Sequence, residues 1–360
     1  MALSGAMSTG ISGLKAHMDA LTVVGNNVAN VNTYGYKAGR VTFKESIYAT
    51  QAAGSNGTEQ TGGTNPRQTG FGCSVGTIDL DMSTMNMEST GVASDIGIQG
   101  DGFFLLGDKS GVSVDDPSSL LLSRVGNFRV DNEGYLTDGA GSIVYGFVTC
   151  NADGGGNPED AEGLTGDAIS TQLVPLRLPL AANGSRNDPA GAEVGDAIFP
   201  GVGRDGTNSY DGDFEGYSPI SYNSLSIDKG GKVTCINDKT GDPVVVGYIA
   251  LGTVPNPGGL THTEGPYYQA VEGAGELGVC APGGSLAGRY LNNADPGDAD
   301  PSHLLGEGGA SLLPGFLEAS GTDLASEFAN MIVYQRGYQA NTRIVTVTDS
   351  MLEELVNMKR

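Results

Sequence analysis

Apolar residues recur at alternating steps of four and three near the start of the chain, at Met7, Ile11, Leu14, Met18 and Leu21. That spacing puts them on one face of a helix. The helix is expected to end at Gly25-Asn26-Asn27, because Gly and Asn form helices poorly and tolerate the left-handed conformation that closes one. Past Pro314-Gly315 a second stripe begins, with Leu317, Leu324, Met331, Tyr338, Val345 and Leu352 at an unbroken spacing of seven. Phe328, Leu355 and Val356 widen it, and Gly337 is its weak point. Asp323 and Glu327 early and Lys359-Arg360 late match the order of charge that a helix dipole favours. Two unpartnered stripes have one economical solution: they pair with each other or with copies in neighbouring molecules.

Between the stripes the pattern changes to period two, with turn residues at short intervals. Arg124–Leu136 reads as two strands about an Asp-Asn-Glu-Gly turn, Ser224–Cys235 repeats the plan, and Ile96–Leu106 reads as a third hairpin around Gln99-Gly-Asp-Gly. These are antiparallel signals without intervening helices. Residues 52–69 and 280–312 look less ordered, being rich in Gly with Thr or with Pro and Asp. The predicted fold is mixed α and β, mainly β. Residues 1–30 and 317–360 form a coiled-coil-like helical core domain, 31–78 an extended or hairpin connection, and 79–150 with 219–316 a discontinuous inner β domain. Residues 151–218 form an outer inserted β domain.

Composition narrows the function. The chain of 360 residues has room for two or three domains. Its 58 glycines show no Gly-X-Y repeat, which excludes collagen and points to many tight turns. A net charge of −23 argues against nucleic acid and anionic membrane as partners. No apolar run is long enough to span a bilayer, and the start lacks a secretory signal pattern. Cys73, Cys150, Cys235 and Cys280 form no CxxC pair, so buried free thiols are expected, with one or two disulfides as the alternative.

The two ends carry a resemblance. Gly10-Ile-Ser-Gly-Leu together with Asn26-Asn27-Val-Ala-Asn30-Val-Asn32-Thr-Tyr-Gly35-Tyr-Lys37 resembles the rod-and-hook motif of bacterial flagellar axial proteins, with Tyr34 and Tyr36 in place of the usual Thr and Phe. Leu80–Phe104, Arg124–Leu136 and, most strongly, Leu317–Asn341 with Leu355–Arg360 are similar to other segments of that family, and closest to its hook subunits. The 151–218 region matches nothing in it. The resemblance implies a structural subunit that polymerises into a flexible tube transmitting torque from rod to filament, exported by the flagellar type III apparatus without cleavage. Its implied partners are further copies of itself and the distal-rod, hook-cap and hook-filament junction proteins; its implied place is the extracellular flagellum. Asn26, Asn27, Asn30 and Asn32 would then end the helix and hydrogen-bond neighbouring backbones across subunit contacts. Both terminal stripes would order only on assembly. A distal-rod subunit of the same family is the alternative, and a calcium-dependent β adhesin is the rival from another class.

Little else points to chemistry. His17, His262 and His303 are not spaced as a metal pair and no nucleophile-elbow motif is present, so neither an enzyme nor a cofactor or metal site is expected. Asp295, Asp298 and Asp300 lack the order of an EF-hand and read as a solvated loop. Asn56-Gly-Thr58 and Asn183-Gly-Ser185 are formal glycosylation sequons.

Overall fold

The computed structural model describes residues 2–57, 62–109, 117–147, 173–184, 193–198, 216–282, 304–305 and 310–358. The chain divides into two units, one of residues 1–81 and 320–360 and the other of residues 82–319. The protein is mainly β, with a helix toward each end.

The first unit is built on the two helices, α1 (Ala2–Ala29) and α2 (Leu324–Met358), which pair antiparallel. Strands β1 (Gly39–Glu45) and β4 (Cys73–Leu80) form one ladder, and β2 (Tyr48–Ala52) and β3 (Arg67–Gly70) form a second. That second ladder, extended by a bridge between Ser55 and Thr64, occupies much of the segment expected to be less ordered. Its strands are exposed on both faces, as polar composition alone would have them.

Helix α1 does not stop at Gly25, which stands in open space and weakens the helix by only about 1 kcal/mol relative to Ala. The next residues continue it, and the Asn30 N–H still bonds back to the Asn26 carbonyl at 3.1 Å. The left-handed glycine comes later, at Gly35 with φ 68°. Helix α2 starts at Leu324, so Leu317 is not on it: Leu317 lies in a strand, Phe316–Glu318, paired with Met87–Ser89. The physical reason is Asp323, whose carboxylate accepts from the Ala325 N–H and the Ser326 hydroxyl and caps the helix there.

The second unit centres on a sheet ordered Tyr222–Ile227, Lys232–Asn237, Pro243–Ile249, Ile143–Phe147, Phe103–Gly107, Leu251–Thr253 and Gly278–Cys280. These neighbours are antiparallel, and Leu304–Leu305 adds a parallel strand at the edge. Ile96, Ile98, Phe104, Leu106, Phe128, Val144 and Leu251 lie in its buried core. Two expected hairpins form, around Asp131 and Asp228, and a third with the same turn forms around Asp138. In each, the Asp Oδ1 accepts from the backbone two and four residues on, and the glycine three residues on has positive φ. An Asp-x-x-Gly spacing thus encodes the turn three times over.

The hairpin expected at Ile96–Leu106 does not form. Gly100 and Gly102, at φ 111° and 153°, carry the chain from one ladder to another. Ile96–Gln99 pairs with Ser311–Pro314, while Phe103–Gly107 joins the central sheet. Entry and exit are therefore zipped together, by Met87–Ser89 against Phe316–Glu318 and by Ile96–Gln99 against Ser311–Pro314. At that root Arg124 and Glu318 are buried with Nη1 and Oε2 3.6 Å apart, and Glu318 also accepts from the Met85 N–H at 2.8 Å. Most of 151–218, all of Asp295, Asp298, Asp300, His303 and Cys150, and the pair Lys359-Arg360 lie outside the described residues.

Candidate self-assembly surface

The seam between α1 and α2 is made of small and polar residues. Gly10 and Gly13 face Val345 and Asn341, His17 faces Gly337, and Asn27 reaches Glu327. Along α1 the positions Gly10, Gly13, His17, Ala20, Val24 and Asn27 alternate steps of three and four, a heptad register offset from the apolar one. Ala16, Ala20 and Val24 are buried in it. A Cβ added at Gly13 would come within 2.7 Å of the Asn341 amide, and one at Gly337 within 2.6 Å of the His17 ring. The glycines are what let the helices approach. The His17 ring is enclosed further by Phe43 and Tyr334, at 5.5 and 6.2 Å between centroids.

Asn27, 1 % exposed, is the polar clamp of this unit. Its amide nitrogen donates to the Gly39 carbonyl at 2.8 Å and to Glu327 Oε1 at 2.9 Å. Its oxygen accepts from the Gly39 N–H and the Tyr36 hydroxyl, each at 3.0 Å. All four bonding positions are filled inside the chain. Burial, and then the nearby Glu327 charge, push the Tyr36 hydroxyl pKa up. Asn26 and Asn32 are exposed and Asn30 is half-buried, with Asn26 donating to the Tyr36 hydroxyl and Asn30 to the Asn26 carbonyl.

The apolar stripes read from the sequence lie largely away from the seam. Ile11 and Met18 are 39 % and 52 % exposed, and Met7, Leu14 and Leu21 are half-buried. On α2, Leu324, Phe328, Tyr338 and Leu352 are exposed, while Met331 and Val345 are half-buried. Leu317 is buried in the β unit. Ile332, Val333, Ile344, Val347, Met351, Leu355 and Val356, most of them not singled out in the sequence, extend the exposed face of α2. So the structure brings together a set of small residues that apolar periodicity missed. The signal that could have found them is the glycine spacing Gly10-x-x-Gly13 opposite Gly337.

Charge divides between the units as sharply. Residues 1–81 and 320–360 hold nine basic and ten acidic side chains, a net −1, which leaves −22 of the total −23 on residues 82–319. The helical unit can crowd against copies of itself with little net repulsion, and the acidic charge that keeps molecules apart sits elsewhere.

Comparison with known proteins agrees with this division. Residues 7–37 match the model of the family described as flagella basal body rod protein, and residues 313–358 match that described as flagellar basal body rod FlgEFG protein C-terminal. Along its length the chain is similar to the flagellar basal-body rod protein FlgG of Bacillus subtilis, 33 % identical over 353 residues covering 98 % of each chain. The chain belongs to the flagellar basal-body rod and hook protein family. It is also similar to the flagellar hook protein FlgE of Borreliella burgdorferi, 29 % identical over 98 % of each chain, and of Treponema pallidum, 27 % identical over 98 % of this chain and 99 % of the relative. As a rod and hook family member it has a structural role in the flagellum. The two matched regions hold the paired helices, and the β unit lies between them.

Proposed function

We propose that the protein is the subunit of the flagellar hook, polymerising through the outer faces of α1 and α2 into a flexible tube that carries torque from rod to filament. The observation that carries the self-assembly reading is a close-packed helical pair with its largest apolar side chains turned outward, on a unit with almost no net charge. Copies of the chain would cover Ile11, Met18, Phe328 and Val333 and leave the acidic β units outermost. The hook in particular is supported by the two spirochaete hook relatives, aligned along nearly the whole chain, and by the large β unit available to slide as the tube bends. The distal rod, hook cap and hook-filament junction proteins would be its neighbours, and the type III export apparatus would deliver it outside the cell. Within this reading Asn26 and Asn32, which are exposed, are better placed than Asn27 to meet a neighbouring subunit.

A second reading, a distal-rod subunit, is favoured by the Bacillus subtilis relative, which is named a rod protein. Electron microscopy of polymer assembled from the purified protein separates them. Short curved tubes are expected; straight, rigid ones would assign the chain to the rod. The calcium-dependent adhesin gives way to family membership.

A further inference from the structure

The helical unit carries complementary features at its two ends. At one end, the last turns of α1, β1, the end of β4 and the first turns of α2 enclose a groove of about 450 Å³. Val23, Val24, Val41 and Leu80 supply its apolar wall. Asp79, Asp81, Asp323 and Glu327 line it against one basic side chain, Arg40. The cavity is therefore apolar within and net acidic.

At the other end α2 outruns α1. Gly10 lies against Ile344 and Val345; at equal rise, the first residue of α1 falls opposite about residue 352 of α2. The turns beyond have no partner on α1. Met351, Leu352, Leu355, Val356 and Met358 are all exposed there, and 351, 355 and 352, 356 share one face at a spacing of four. Lys359-Arg360 follow in the sequence, so this apolar end is also basic. Glu327 and Leu355 are separated by about 40 Å of helix, which keeps the stripe out of the groove of its own chain.

We propose that the overhanging turns of α2 in one copy seat in the groove of a second copy, head to tail. Apolar side chains meet an apolar wall, and two cations follow them toward a cavity with three acidic charges in excess. Because the two surfaces differ, the contact is heterologous and propagates rather than closing a dimer. The proposal rests on the self-assembly reading and adds which surfaces meet.

The test places cysteines at Arg40 and Val356, both exposed, in a background with Cys73→Ala and Cys150→Ala. Polymer treated with a short bifunctional maleimide is expected to give a ladder of dimers, trimers and longer species on a denaturing gel, and each single-cysteine variant no ladder. Polymer of the double-cysteine protein that gives no ladder overturns the proposal. A second variant, Leu355→Asp with Val356→Asp, is expected to raise the critical concentration for polymerisation about tenfold or more with the helical circular dichroism unchanged. An unchanged critical concentration overturns it equally. If unmodified protein forms no polymer at all, the self-assembly reading itself fails, and this contact with it.

Discussion

Replacing Asn27 by Ala separates a clamp inside the subunit from a contact between subunits. The substitution removes four hydrogen bonds, two to Gly39 and one each to Tyr36 and Glu327, from a side chain that is almost wholly buried. A neutral hydrogen bond contributes about 0.5–1.5 kcal/mol net and one to a charged group about 1.5–3. Water that reaches Glu327 and Tyr36 once the side chain is gone recovers part of the sum, so a loss of about 3–5 kcal/mol is expected. Asn26→Ala, next in sequence but exposed, removes little and is expected to cost below about 1 kcal/mol. Asn27→Asp keeps the acceptor but loses both donors and sets a second carboxylate beside Glu327. Like charge and burial raise the pKa of such a carboxyl in the folded state, so its penalty applies above that pKa and fades as pH falls through it. Urea unfolding of the dilute monomer, followed by helical circular dichroism at pH 7 and at pH 4, reads all three. If Asn27→Ala and Asn26→Ala shift the helical transition equally, or neither shifts it by 1 kcal/mol, the clamp assigned to Asn27 is wrong.

Other substitutions test the packing. Gly25→Ala should stabilise the helical unit by up to about 1 kcal/mol, since nothing lies near its new methyl, whereas Gly13→Ala, crowded by Asn341, should destabilise it despite the same gain in propensity; thermal melts of the two variants check the opposite signs. Glu318→Ala leaves the Arg124 guanidinium buried without its carboxylate and should cost the β unit about 3–5 kcal/mol, read as a lowered urea midpoint for that unit alone. Burial pushes the Cys235 and Cys280 thiols up to about 11, so iodoacetamide at pH 8 should label the half-buried Cys73 well before either, with mass spectrometry of the peptides as readout.

The paired helices and the mainly β middle were legible because each rests on a strong periodic signal. The turns around Asp131 and Asp228 were legible for a local reason: an Asp side chain and a glycine at fixed offsets specify them without help from the rest of the fold. The false hairpin at Ile96–Leu106 shows the limit. Its two strands have the right pattern, but their partners lie more than 200 and about 20 residues away along the chain, at Ser311–Pro314 and Leu121–Ser123. Alternation reports that a strand has a buried face and says nothing about which strand it meets. Leu317 failed similarly, since a heptad position is one residue in seven and Asp323 decides where the helix begins.

The seam itself was hidden by the feature that gives the helices their exterior. Apolar periodicity finds large side chains, and here the helices meet through Gly10, Gly13, Ala16, Ala20 and Gly337, which bury little area each. A Leu-sized side chain contributes about 1.5–3 kcal/mol when buried and an Ala far less, so the intrachain pair is held more by close approach and the Asn27 clamp than by hydrophobic burial. The large residues left outside, Phe328, Ile332, Val333 and Leu355 among them, hold most of the apolar area that these helices have yet to bury. A subunit built this way can form its helical pair alone while keeping its main hydrophobic gain for contact with the next copy. The stripes found in the sequence are therefore an account of the polymer, and the glycines between them an account of the monomer.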